Sequence, residues 1–201
     1  MYSNPFTQGG WQSSANPRAS SSSNTVPQPS LFGALPFATP NPIPMFVSFR
    51  FTSFSPSILN STVMGPQGKT YFRVSTDIPT PGFTIITNST NQPTIIIEWR
   101  KHPVLEIRDI VPKQQSLQWL ALAPEKRYRT MTAKGKTFVW APDGESICLY
   151  SPGVGAPQTF ARVTREEGAV ALDITAEAIQ IGLLDVCVAA ALLLQCGRNI
   201  D

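Results

Sequence analysis

The chain has 201 residues, 42% of them hydrophobic and only 14% charged, with a formal net charge of +3. That balance supports a real core but carries no whole-protein signature of nucleic-acid binding. Three cysteines, an odd number with no C-x-x-C pair, exclude a disulfide scaffold and a zinc site by spacing.

Residues 1–45 are rich in Pro, Ser, Asn and Gln and include the run Ser20 to Ser23. Such a segment buries too little apolar surface to offset chain entropy, so it is predicted to be a disordered tail. It has neither the basic n-region nor the apolar h-region of a secretory signal. With the dispersed thiols Cys148, Cys187 and Cys196, this predicts an intracellular, cytoplasmic protein. Asn60-Ser-Thr62 and Asn88-Ser-Thr90 then read as chance glycosylation matches in turn-rich sequence.

Strands dominate residues 46–201. Phe46–Phe51 alternates apolar and polar, Gly65-Pro-Gln-Gly68 is a turn, and Thr70–Ser75 follows as a strand. Phe83–Thr87 and Thr94–Trp99 are β-branched and aromatic. In the second, Ile95, Ile97 and Trp99 share one face while Glu98 and Arg100 share the other. Val104–Ile110 points Leu105 and Ile107 inward, with Glu106 and Arg108 outward. A hairpin at Lys134-Gly135 joins Arg127–Ala133 to Lys136–Trp140. It sets Met131 opposite Phe138, and Arg129 opposite Trp140 in an expected cation–π contact. Pro142-Asp-Gly144 leads into Glu145–Tyr150, and Pro152 to Pro157 is a loop. Gln158–Thr164 and Ala169–Ile174 form a last hairpin around Glu166-Glu-Gly168.

The C-terminal segment changes character. Thr175 is a helix N-cap with Glu177 in the first turn, and one helix is predicted over 175–195. It is apolar on every side, and its charge-free stretch Val186–Leu194 is far short of the about 20 residues that span a bilayer. Such a helix must be wrapped by protein.

Ile97-Glu98-Trp99, Tyr128–Thr132, Gly135–Trp140, Ile147–Tyr150 and the closing apolar helix resemble a domain-of-unknown-function family abundant in mushroom-forming fungi. The resemblance covers roughly Phe49 to Asp201. The order of elements is similar to the tubby C-terminal-like superfamily, which includes LURP-one-related proteins and phospholipid scramblases. The resemblance implies a closed β-barrel of about twelve strands around a buried hydrophobic helix. It also implies binding of phospholipid headgroups, with no lipid-binding motif carried over residue by residue.

Catalytic patterns are weak. The one histidine, His102, stands beside Arg100 and Lys101 with no nucleophile marked as its partner. Gly144-Glu-Ser-Ile-Cys148 approximates a nucleophile elbow, but Ser146 begins a strand and Cys148 replaces the final Gly. Glu98, Glu106 and Asp109 read as outward strand charges matched to Arg100 and Arg108 rather than an acid–base pair. No catalytic residue, cofactor or metal ligand is therefore assigned, and no enzyme is expected.

Arg100 to Lys136 holds nine basic residues and three acidic ones, and the balance reverses to three against eight from Thr137 onward. The candidate anion site is Arg100, Lys101, Lys126, Arg127, Arg129, Lys134 and Lys136. The expected function is a non-catalytic module for acidic phospholipid headgroups, peripheral to a membrane. The alternative is a structural or protein-interaction module recruiting a partner through the tail or a sheet edge. Nucleic acid is disfavoured because Phe138 and Trp140 read as core rather than as stacking platforms.

Overall fold

A computed structural model describes residues 45–76, 82–151 and 157–201. The expected tail falls almost wholly outside them, as does most of the Pro152–Pro157 loop.

Two antiparallel meanders make one sheet. The first is β1 (Phe46–Thr52), β2 (Ser61–Met64), β3 (Thr70–Thr76), β4 (Phe83–Asn88), β5 (Pro93–Glu98), β6 (Val104–Ile107) and β7 (Val111–Gln115). A single helical turn, α1 (Ser116–Trp119), leads to the second. This comprises β8 (Leu120–Leu122), β9 (Arg129–Ala133), β10 (Lys136–Asp143), β11 (Ser146–Ser151), β12 (Gln158–Glu166) and β13 (Ala169–Thr175). Pairing of β1 with β13 welds the meanders into 13 strands in the order β7-β6-β5-β4-β3-β2-β1-β13-β12-β11-β10-β9-β8. Phe49 opposes Leu172 and Phe51 opposes Val170 across that weld, and all four are buried.

The Lys134-Gly135 hairpin has the expected register. Met131 faces Phe138 and Arg129 faces Trp140. Lys134 and Gly135 both have positive φ (52° and 71°), as a two-residue primed turn requires. Both glycosylation-like asparagines hold backbone together. Asn88 Oδ1 accepts from the N–H groups of Thr90 and Gln92 in the β4–β5 turn, and Asn60 Oδ1 accepts from the N–H of Thr76.

The expected closed barrel is not what the pairing gives. Among the described residues the sheet ends at β7 on one side and β8 on the other, with no ladder between them. Local chemistry explains the opening. Pro112 in β7 has no N–H to donate, α1 spends the linking residues on a helical turn, and β8 has only three residues. Beyond the start of β8, Trp119 Nε1 donates to the Thr132 carbonyl at 3.2 Å and takes an acceptor that a neighbouring strand would need. A cavity of about 260 Å³ lies where β7, α1 and the β9–β10 hairpin meet.

The single helix expected over 175–195 is two: α2 (Ala176–Gln180) and α3 (Leu184–Gln195). The Thr175 cap is present, its hydroxyl accepting from the Ala178 N–H at 3.2 Å. Gly182, at φ +81°, then ends α2. The Leu183 N–H reaches back to the Ala178 carbonyl and the Gly182 N–H to that of Ile179, a Schellman closure. In α3 every residue from Val186 to Leu193 is buried. The helix packs against β13, β5 and β6, so its all-round apolarity is matched by all-round protein.

Candidate functional site

At its C-terminal end β5 turns Glu98 to the outer face of the sheet, yet the carboxylate is nearly covered. Arg100 grips it from the strand end, with Nε donating to Oε1 at 2.7 Å, and Lys113 Nζ reaches Oε2 at 3.3 Å from β7. Burial pushes the Glu98 carboxyl up, but hydrogen bonds and charge from Arg100 and Lys113 outweigh it and hold the group below its ordinary 4.5. Two cations thus share one anion. Lys101 and His102 follow, both exposed. Arg198, arriving from beyond α3, lies over the Trp99 ring at 4.6 Å from its centroid. Trp99 is fixed for that role by its Nε1–H bond to Thr84 Oγ1 at 2.7 Å. Four exposed cations thus lie at this end of β5: Arg100 and Lys113 on the Glu98 carboxylate, Lys101 next in the chain and Arg198 over Trp99.

The seven residues singled out from sequence do not all join it. Arg100 and Lys101 do. Lys126 and Arg127 are exposed in the β8–β9 loop. Lys134 and Lys136 flank the hairpin tip at the other end of β9, about 13–17 Å from that loop by strand rise. Lys134 approaches Gly182 and the half-buried Asp185 of α3. Arg129 is committed inward, because its guanidinium donates to both carboxylate oxygens of Asp201 at 2.7 and 2.8 Å and to the Leu120 carbonyl at 3.0 Å. This replaces the expected contact with Trp140, whose Nε1 instead meets Met131 Sδ. Lys113 and Arg198 were missed. β7 has a polar sequence with no alternation to mark a strand, and Arg198 reaches Trp99 only because α3 carries the chain back across the fold.

Other sequence candidates stay apart. Glu106 and Asp109 are exposed, and Glu98 pairs with cations rather than carboxylates. Ser146 opens β11 as expected of a strand residue. All three cysteines are free thiols: Cys148 and Cys187 are buried and Cys196 partly so. Among the described residues no cluster of His, Cys, Asp or Glu has the makings of a metal site. No helix there is long and apolar enough to cross a membrane.

A family model described as "Family of unknown function (DUF6593)" matches residues 56–199. No curated protein matches the sequence. Among solved structures, the chain is similar to the X-ray structure of a protein from Arabidopsis thaliana, with a TM-score of 0.40 and 10% sequence identity. The match covers 73% of this chain and 92% of that one.

Proposed function

The chain belongs to the family of unknown function DUF6593, and from that premise we propose that it is a non-catalytic module that binds acidic phospholipid headgroups at an intracellular membrane surface. The observation that supports this reading is the gathering of four exposed cations at the C-terminal end of β5: Arg100 and Lys113 on the Glu98 carboxylate, Lys101 next in the chain and Arg198 over Trp99. Each cation near an anionic surface contributes about 1 kcal/mol, so four offset by one anion amount to roughly 3 kcal/mol of salt-sensitive attraction. The similarity in order of elements to the tubby-like superfamily points the same way, as a likeness to a superfamily that includes phospholipid scramblases.

Recruitment of a protein strand along a sheet edge is the weaker reading. Pro112 and Lys113 on β7, and the shortness of β8, are features that discourage strand addition.

The test is co-sedimentation of the full chain with phosphatidylcholine vesicles, with and without phosphatidylserine or phosphoinositide, across a salt series. Binding to acidic vesicles should fall with salt. Lys101→Glu with Arg198→Glu should weaken it at least tenfold, as about 1 kcal/mol per charge implies, whereas Lys134→Glu with Lys136→Glu should have a smaller effect. Equal sedimentation with neutral and acidic vesicles at low salt would sink the proposal.

A further inference from the structure

Antiparallel strands with one wet face alternate apolar-in and polar-out, and the start of β4 departs from that rule beside the cation group. Thr84 points inward and is fully buried, its hydroxyl meeting Thr76 Oγ1 and Trp99 Nε1. Phe83 and Ile85 point outward and are each 37% exposed. The register places them in a patch, because Ile85 is opposite Ile96 and Phe83 is opposite Glu98 on β5. Directly paired residues share a face within about 5.5 Å. The half-buried Ile96 therefore extends the apolar surface, and the Glu98 carboxylate that carries Arg100 and Lys113 borders it.

We propose that this outer face of β4 and β5 is a membrane-insertion surface, with Phe83 and Ile85 entering the headgroup–acyl boundary of an anionic bilayer while the neighbouring cations hold its phosphates. The inference rests on the headgroup reading above and deepens it. Charge complementarity selects the occupant. An apolar patch bordered by exposed Arg and Lys matches an acidic lipid interface, where apolar burial and cationic attraction act side by side. The core itself does not account for the two exposed side chains, since Ile86, Ile95 and Ile97 already fill the inward rows of these strands.

The experiment uses the full chain and phosphatidylcholine vesicles doped with phosphatidylserine. Phe83→Ser with Ile85→Ser should weaken binding about tenfold or more at every salt concentration, since the lost contribution is apolar area, and should leave the salt slope unchanged. Lys101→Glu with Arg198→Glu should flatten the slope. As a readout in a chain whose patch stays apolar, Phe83→Trp should show added quenching by brominated phosphatidylcholine over the unmutated protein. If the serine pair binds like the unmutated protein while the charge pair does not, the insertion surface is wrong and the headgroup reading stands. If acidic vesicles do not bind the chain at all, both fall. If the unmutated chain is a dimer that the serine pair converts to a monomer, the face belongs to a second copy and the inference is overturned.

Discussion

Leu192→Ala tests the central claim about the fold, that α3 is core rather than anchor. Leu192 is fully buried in the middle of the apolar stretch. Truncation removes three carbons, worth about 2.4 kcal/mol at about 0.8 kcal/mol per buried methylene. An unrelaxed cavity adds about 1 kcal/mol, placing the total near 3–4 kcal/mol, inside the range of about 2–5 kcal/mol for buried leucines. For a domain of this size, about 2–4 °C per kcal/mol converts that to a fall in Tm of about 6–16 °C. Urea unfolding followed by Trp fluorescence should show a lower midpoint with an unchanged slope, the mark of lost stability rather than altered compactness. Ile181→Ala, in the exposed break between α2 and α3, serves as the control and should shift Tm by no more than a degree or two. If Leu192→Ala cost no more than Ile181→Ala, the sheet would not be packed on this helix and the account of the core would be wrong.

Three further outcomes follow from the same geometry. The Arg129 bond holds the Asp201 carboxyl below its ordinary 3.8, against a smaller upward push from burial. A carboxylate depressed in the folded state contributes stability above its unfolded value and loses it as pH falls through the folded one. Asp201→Asn should therefore cost under about 1 kcal/mol at neutral pH, water screening the half-exposed carboxylate, and in acid titrations the cost should begin to decline near pH 3.8 and vanish only once pH has fallen through the depressed folded value. Thr175→Ala removes the cap on α2 and should cost about 1 kcal/mol in chemical denaturation. Burial pushes the Cys187 and Cys196 thiols up, Cys187 furthest. Native thiol labelling followed by mass spectrometry should find Cys148 and Cys187 silent and Cys196 slow, with all three reacting in urea.

Periodicity is a local signal, and where local chemistry decided the structure the sequence was legible. The alternation of Phe46–Phe51 and Thr94–Trp99 marked β1 and β5. The Lys134-Gly135 pair predicted a turn that set Met131 against Phe138, and Thr175 announced the start of a helix. The all-round apolarity of Val186–Leu194 already required a helix surrounded by protein. Short or polar elements were not legible. β7, β8 and α1 have too few residues, or too little alternation, to stand above their surroundings. Gly182 was read through as helix because a single glycine inside an apolar run looks the same whether it is tolerated or ends a turn.

The sequence by itself determined the class of fold, the buried helix and the existence of a basic central region. Only the tertiary structure decided which cations act together, because that depends on contacts between residues far apart in the chain. Lys113 reaches Glu98 from a different strand, Arg198 returns to Trp99 after α3 has crossed the fold, and Arg129 is claimed by Asp201. Openness was decided in the same way. The pairing order shows that β7 and β8 are the two edges and that neither supplies the other's ladder. The strand β4 was visible in outline as a β-branched and aromatic run. Which of them faced water depended on register, since a shift of one residue exchanges the two faces of a strand.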